Sequence, residues 1–252
     1  MARAKAPGQL GPMPLPESFL EHLRDFGYHP RSNKHSNALA TAIVQDLLAS
    51  CDVLARGARV GRLVYELNMD LRVGTATWNV DLVLGTPAKP VDAVPTPIAR
   101  LTPSTVRAAI EIKSVMTEHR KAVKNRKRDF EAHHEHVHNY SRRAIAGGVM
   151  VVNAASSFLS PLRTKPTLHG IGPAVDRLVA HCLNEMRNVT ESGGRSSYGM
   201  DAKAAVVIDF DNVDMEAGRY VTGSPAPQPG DPLHYDSFIQ KVCDEYCQRF
   251  GS

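Results

Sequence analysis

The stretch Arg107-Ala108-Ala109-Ile110-Glu111-Ile112-Lys113-Ser114 closes an apolar run with an acid and a lysine two residues apart. In a β-strand, side chains two residues apart face the same side, so Glu111 and Lys113 project together while Ile110 and Ile112 face the opposite layer. Such a carboxylate can hold a hard divalent cation, and the neighbouring ammonium can act on an attacking water. The stretch therefore predicts a buried strand whose end carries groups suited to phosphodiester hydrolysis.

An acid-x-Lys triplet is weak support by itself, because about one is expected by chance in a chain of this composition. The sequence contains two of them, and Asp201-Ala202-Lys203 is the second. This second triplet follows a Gly/Ser-rich stretch over residues 191–200 and precedes its own strand, so no apolar run leads into it. Only Glu111 and Lys113 end a strand-like run, and they are therefore the preferred candidates.

A second acid comes from a predicted hairpin upstream. Residues 63–71 read as a strand, 73–75 as a turn and 78–85 as the returning strand, with Asp81 in its apolar middle. An unpaired carboxylate is unfavourable in such a place, so Asp81 begins a turn, pairs with a lysine or binds a cation. The presence of Glu111 on the next long strand favours the cation.

Asp81 and Glu111 on neighbouring strands can share one Mg²⁺, with the backbone carbonyl of Ile112 as a further oxygen ligand. Two other acids compete for a place in this set. Asp46 is the only acid in a predicted helix over residues 38–50, where core packing makes it exposed by default. Glu66 comes from the adjoining strand of the hairpin, and the sequence leaves open which of the two, if either, completes the site.

Asp81 followed by Glu111-Ile112-Lys113, on a hairpin and the next long strand, resembles the PD-(D/E)XK phosphodiesterase superfamily, which includes many type II restriction endonucleases. The resemblance covers about residues 33 to 210, and Asn79-Val80 stand where the name-giving proline would precede the first acid. It implies a restriction-endonuclease-like core, Asp81, Glu111 and Lys113 as catalytic residues, and Mg²⁺ as cofactor with Mn²⁺ as a substitute. It also implies products with 5′-phosphate and 3′-hydroxyl ends.

The expected function is Mg²⁺-dependent cleavage of DNA by a type II restriction-type endonuclease. The alternatives are a DNA repair, recombination or transposition nuclease of the same fold, and a non-catalytic nucleic-acid-binding protein. The last class has no need of Asp81, Glu111 and Lys113 together. Because one such site attacks one strand at a time, cutting both strands calls for a homodimer.

A cluster of six basic residues follows the lysine strand, on a helix predicted from about residue 117 to 140; it consists of Arg120, Lys121, Lys124, Arg126, Lys127 and Arg128. Charge runs are usually solvated helix faces, but this one stands beside the candidate site and can contact DNA phosphates. Lys34 and Ser36, at the start of the earlier helix, can hold a phosphate where backbone N–H groups point outward.

The same basic helix carries four histidines, which we expect to lie mostly on an exposed or DNA-facing surface; they are His133, His134, His136 and His138. The four cysteines, Cys51, Cys182, Cys243 and Cys247, contain no C-x-x-C pair. Cys243 and Cys247 are expected to pack as small apolar groups on a helix. This usage predicts a reducing, cytoplasmic setting and no zinc site.

The 252 residues, 42% of them hydrophobic, suffice for one sizeable α/β domain, and no run reaches the length of a membrane span. The expected order is helix, hairpin, lysine strand, basic helix, strand, helix, strand, around a mixed central β-sheet flanked by helices. Residues 1–16 read as a disordered lead-in, 17–221 as the nuclease-like domain and 222–252 as a Pro/Gly-rich linker with a closing helix. That helix packs on the core or pairs with a second subunit.

Overall fold

The fold is taken from a computed structural model that describes residues 13–92, 97–193 and 198–251. Residues 1–12, most of the expected lead-in, lie outside the described residues. Within the described part, the helices are α1 (Glu17–Phe26), α2 (Lys34–Ser50), α3 (Asp52–Arg59), α4 (His119–Tyr140), α5 (Pro173–Arg187) and α6 (Tyr235–Phe250). The strands are β1 (Val64–Val73), β2 (Ala76–Thr86), β3 (Ala99–Arg100), β4 (Thr105–Val115), β5 (Ile145–Asn153), β6 (Ser157–Phe158), β7 (Thr167–Leu168), β8 (Ala202–Asp209) and β9 (Arg219–Tyr220).

The central sheet of the described residues has seven strands in the order β3-β1-β2-β4-β5-β8-β9. β1, β2 and β4 are antiparallel neighbours, whereas β4, β5 and β8 run parallel. The parallel connections need crossovers, and α4 and α5 supply them. The prediction of an α/β fold with a mixed central sheet flanked by helices is confirmed.

The sheet separates two apolar layers. One contains the buried faces of α1, α2 and α6, and the other contains those of α4 and α5. Ile110 and Ile112 of β4 belong to the first layer and Val115 belongs to the second. Glu111 and Lys113 therefore face the layer of α4, as the alternation along the strand predicts.

The β1–β2 hairpin places the first acid. Its turn contains Gly74 at φ 58°, a conformation that a tight hairpin turn requires and glycine tolerates. Opposite Asp81, Asn68 is also left-handed, with φ 54°, and the regular pairing is interrupted there. The pairing of β2 with β4 ends at Leu82 and Ile110, so Asp81 lies where these two strands separate.

The closing helix α6 packs on the core of the same chain. Phe238, Ile239 and Val242 are completely buried in the layer of α2, so the first of the two roles considered for this helix is the one observed. Cys243 forms a disulfide with Cys51 at the junction of α2 and α3. The interpretation of Cys243 as a simple packing group is therefore wrong, because its partner lies 192 positions away in the sequence and only the packing of α6 on α2 brings them together.

No single helix among the described residues is long and apolar enough to cross a membrane. α2 and α3 reach that length and composition only as a pair, and they are bent by 104° at their junction. α2 is also a core helix that packs on the central sheet, and its Leu39, Ile43 and Leu47 are fully buried.

Candidate active site

The three residues predicted to carry the chemistry lie together where β2 and β4 separate. Lys113 Nζ forms an ion pair with Glu111 Oε1, and Asp81 Oδ2 accepts a hydrogen bond of 2.8 Å from the backbone N–H of Ile112. Asp81 thus continues the β2–β4 ladder with its side chain after the backbone pairing has ended. The strand alternation supplies the first contact, and the divergence of the two strands supplies the second.

The backbone of Ile112 has the orientation expected of a cation ligand. Its N–H points towards Asp81 on β2. Within a strand, the N–H and C=O of one residue point to the same side, so the Ile112 carbonyl also faces the gap between β2 and β4. The predicted oxygen ligands, two carboxylates and one carbonyl, therefore share this gap.

Burial and mutual repulsion disfavour the ionised forms of the two carboxylates of the site, and Lys113 partly compensates for this. Burial raises the pKa of Asp81 to about 6, and the Glu111 charge acts in the same direction while Lys113 opposes it. Burial also raises the pKa of Glu111. For Lys113, burial lowers the pKa, but the charges of Glu111 and Asp81 outweigh this and raise it. Lys113 therefore favours its charged form, whereas burial disfavours the ionised forms of Asp81 and Glu111.

The inner oxygen of Glu111 faces a histidine. Glu111 Oε2 lies 3.7 Å from His133 Nδ1, and neither atom has a hydrogen-bond partner among the described residues. His133 Nε2 is 3.1 Å from the carbonyl oxygen of Ala109. Because a carbonyl can only accept, Nε2 carries the proton and Nδ1 presents a lone pair. Burial lowers the pKa of His133 to about 3, which agrees with a neutral ring.

Two acceptors that face each other are unfavourable unless a donor or a cation lies nearby. The Trp78 indole is one such donor, because it acts on Glu111 to lower the pKa that burial raises. Glu111 has only 1% of its surface exposed and His133 none, so this orphaned pair is enclosed by protein. Together with the two repelling carboxylates, it makes the residues present a good fit for a divalent cation.

The expected exposure of the α4 histidines is wrong for His133, His134 and His138, which are all buried. Their side of α4 packs against the sheet and the segment before β8, and there the rings bond to the protein. His133 Nε2 bonds to the carbonyl of Ala109 and His138 Nε2 to that of Gly199. The sequence signal was ambiguous because an uncharged imidazole suits a buried face as well as an exposed one.

The two acids considered as additional ligands lie elsewhere. Asp46 accepts a hydrogen bond of 2.6 Å from the hydroxyl of Tyr235 on α6, and it lies ten residues, or about 15 Å, along α2 from Ser36. Glu66 forms an ion pair of 2.9 Å with Arg100 on β3, at the edge of β1 that faces away from β4. Neither is brought to the gap that holds Asp81.

A group of small polar residues that sequence reasoning did not assign to the site surrounds Asp81. Asn68 donates to Asn37 Oδ1 at 2.8 Å and accepts from Asn33 Nδ2 at 2.9 Å, so it ties β1 to the start of α2. Ser36 is buried, donates to the Asn33 carbonyl, and lies close enough to Asp81 to lower its pKa. The Ser36 hydroxyl therefore points into the protein, and the phosphate-binding role expected of Ser36 at the helix start stays a prediction. In the sequence, the Asn-x-x-Ser-Asn spacing at the start of α2 is the pattern that could have indicated this polar group.

A cleft of about 360 Å³ opens beside the end of β4. Its walls include Tyr28, Ser114, Lys121, Arg126 and Arg163. Burial raises the pKa of the Tyr28 hydroxyl, and the charges of Arg126 and Lys113 oppose that rise. The cleft thus combines cationic side chains with an aromatic ring at the end of the strand that carries Glu111 and Lys113.

The basic residues of α4 divide into two groups. Arg120, Lys121, Lys124 and Arg128 are exposed and form no ion pair among the described residues. Lys127 instead approaches Glu185 of α5 at 3.6 Å, and Arg126 pairs with Asp129 at 3.0 Å. Lys34 is exposed at the start of α2. The first group and Lys34 remain available to a polyanion.

Neither a protein-family model, nor a curated protein, nor a solved structure matches the chain. The resemblance to the PD-(D/E)XK superfamily therefore rests on Asp81, Glu111-Ile112-Lys113 and the elements that carry them.

Proposed function

We propose that the protein is a Mg²⁺-dependent endonuclease that hydrolyses DNA phosphodiester bonds, of the type II restriction kind. The observation that carries this proposal is the meeting of Asp81, Glu111 and Lys113 in the gap between β2 and β4. In the second acid-x-Lys triplet, by contrast, Asp201 and Lys203 are already bonded to other protein groups.

The order of the elements supports a restriction-endonuclease-like core. A helix (α2), an antiparallel hairpin (β1 and β2), the lysine strand (β4), a helix (α4) and a parallel strand (β5) occur in this order along the chain, with α3 and β3 as additional elements between them. In the sheet, the four strands are neighbours in the order β1-β2-β4-β5. This is the arrangement that the resemblance to PD-(D/E)XK nucleases implies.

In the proposed mechanism, Asp81, Glu111 and the Ile112 carbonyl would hold Mg²⁺, and Mn²⁺ can replace it. When bound, the cation offsets the charge that builds on the scissile phosphate. Lys113 is held beside Glu111 by their ion pair, and its raised pKa keeps it protonated. It therefore donates hydrogen bonds that orient the attacking water next to the phosphate.

The proposed substrate follows from the cleft and the exposed cations of α4. Lys121 lines the cleft, and Arg120, Lys124 and Arg128 extend the same basic surface along the helix. Contacts of this kind are directed at phosphates and carry no base sequence information. Cleavage of both strands calls for two copies of the site, so we propose a homodimer that acts on DNA in the cytoplasm.

The first test uses purified protein with a panel of plasmid, linear, branched and single-stranded DNA. Cutting should require Mg²⁺ or Mn²⁺ and stop with EDTA, and Lys113→Ala should abolish it. Lys241→Ala is the control, because Lys241 is an exposed lysine that pairs with Glu245 on α6. Undiminished cutting by Lys113→Ala would overturn the assigned site, and a preference for branched or single-stranded DNA would favour a repair nuclease.

A further inference from the structure

A second group of potential ligands lies at the far end of α2. The Sγ atoms of Cys51, Cys243 and Cys247 all lie within 4.8 Å of one another, and no other such cluster of metal-binding side chains occurs in the part of the chain that the structure describes. Cys51 is fifteen residues beyond Ser36, which places it about 22 Å along the helix from the candidate active site. The cluster is therefore separate from the proposed chemistry.

Two of the three sulfurs are held by the geometry of one helix. Cys243 and Cys247 are one turn apart on α6, so they share a face, and their Sγ atoms are 4.0 Å apart. Sulfurs that bind one zinc ion at about 2.3 Å in a tetrahedral site are about 3.8 Å apart. A disulfide requires about 2.05 Å. The spacing of this pair fits a shared cation.

The third sulfur comes from the junction of α2 and α3. Cys51 is buried and, in the structure, is bonded to Cys243, with their Cα atoms 5.6 Å apart. This disulfide uses two of the three sulfurs and leaves Cys247 as a free, exposed thiol beside it. In a reducing compartment such a bond opens, and three thiols then converge on one point. A cation satisfies all three, whereas a disulfide cannot.

We propose that, in the reduced protein, Cys51, Cys243 and Cys247 bind a soft, thiolate-preferring cation of the Zn²⁺ class. Binding exchanges the thiol protons for the cation and involves no change of oxidation state. Because Cys247 is exposed, the fourth coordination position is open to water. The bound cation fastens α6 to the junction of α2 and α3, the same connection that the disulfide makes in the oxidised protein. This site is independent of the proposed nuclease function.

The test uses the full-length protein reduced with a phosphine, which does not compete strongly for zinc, and freed of metal. Titration with Cd²⁺ should give the ultraviolet thiolate-to-cadmium charge-transfer band, saturating at one equivalent. Zn²⁺ should displace that band and Mg²⁺ should not. Cys247→Ser and Cys51→Ser should each weaken binding at least about a hundredfold. Cys182→Ala should leave it unchanged, because Cys182 is buried in the opposite layer.

A second measurement needs no substitution. In the wild-type reduced protein, saturating Zn²⁺ should protect Cys51, Cys243 and Cys247 from alkylation as read by peptide mass spectrometry. Absence of the charge-transfer band, a band that survives Cys247→Ser in a protein with unchanged circular dichroism, or alkylation of all three cysteines at the same rate with and without Zn²⁺ would each overturn the proposal. A Cys51–Cys243 disulfide that persists under the phosphine would also overturn it.

Discussion

The triplets Glu111-Ile112-Lys113 and Asp201-Ala202-Lys203 have the same pattern and lie in the same sheet, separated by β5. Their surroundings differ. Asp201 accepts hydrogen bonds from the Ala146 N–H at 2.8 Å, from Ser192 and from the Arg249 guanidinium. Each of its oxygens is therefore occupied by a protein donor. Its carboxylate fastens α6 and the segment before β8 to the sheet.

The lysines differ in the same way. Lys203 Nζ donates to the carbonyls of Arg187 and Val189, both at 2.9 Å, and pairs with Glu191. Its three protons are thus used to close the end of α5. Lys113 pairs only with Glu111 among the described residues and keeps a quarter of its side chain exposed. The fold therefore leaves the first triplet partly available to a ligand, whereas protein donors and acceptors already occupy the charged groups of the second.

The largest predicted effect concerns Asp81, the acid that accompanies the first triplet. Asp81→Asn should reduce DNA cleavage about a thousandfold, because loss of a carboxylate ligand removes several kcal/mol of transition-state stabilisation. It should also remove most of the stabilisation of the fold by Mg²⁺, about 2.7 kcal/mol at a hundred times the dissociation constant. Cleavage rates and thermal melting with and without Mg²⁺ measure the two effects.

Two matched variants control this prediction. Asp201→Asn, assayed where it is folded, should keep both cleavage and the Mg²⁺ response, since its carboxylate is occupied by Arg249 and Ser192. Asp46→Asn should also keep the response, because Asp46 bonds to Tyr235. If Asp46→Asn loses the Mg²⁺ response and Asp81→Asn does not, the cation has been placed on the wrong acids.

The next prediction concerns Lys203. Lys203→Met should lower the free energy of unfolding by about 1–3 kcal/mol, because the carbonyls of Arg187 and Val189 lose their donor. The cleavage rate per folded molecule should not change. Urea denaturation and cleavage assays on the same preparation check both statements. A loss of cleavage in a folded Lys203→Met protein would mean that the second triplet also serves the reaction.

The pH dependence of stability tests the buried state of Asp81 without any DNA. The pKa of Asp81 is raised from 3.8 to about 6 by burial and then by Glu111, so between these pH values the folded state binds more protons than the unfolded state. The free energy of unfolding in EDTA should therefore fall as the pH rises from about 4 to about 6, by up to about 3 kcal/mol. Asp81→Asn lacks this group and should gain stability over the wild type across that window.

Urea denaturation at a series of pH values, with excess EDTA, measures the difference between the two proteins. Wild-type and Asp81→Asn curves that stay parallel from pH 4 to pH 7 would contradict the buried, repelled state assigned to Asp81. Adding Mg²⁺ should restore wild-type stability mainly above pH 6, because the cation binds the ionised carboxylates.

The smallest predicted effect concerns the surfaces around the two triplets. Replacing Lys121 and Lys124 together by Ala should lower the salt dependence of DNA binding, by up to about 0.9 log-log units per lost phosphate contact. The matched pair is Arg187→Ala with Lys241→Ala, which removes two cations beside the second triplet. DNA-binding isotherms at several salt concentrations should show a change only for the first pair. Equal slopes for both pairs would return the α4 cations to the role of a solvated helix face.

The local elements of this protein follow from short-range signals in its sequence. The hairpin and the lysine strand were predicted within a few residues of their observed bounds, because alternation and Gly74 are local signals. The closing helix was expected after the Pro/Gly-rich linker, and it is observed there. The same alternation placed Glu111 and Lys113 on one side of β4. Asp81 could be proposed as their partner because a carboxylate in an apolar strand needs a reason to be there.

Long-range packing, in contrast, sets which of the charged and polar groups are already bonded to other parts of the protein. The donors that fill Asp201, the partners of Asp46 and Glu66, and the burial of His133 all depend on segments that are distant in sequence and meet through packing. The bonding of Cys51 to Cys243 has the same origin, since 192 positions separate the two residues. Periodicity reports which face of an element is apolar, but not which neighbour covers it. The neighbour is fixed by how helices and sheet pack, and it determines whether a charge is structural or free to act.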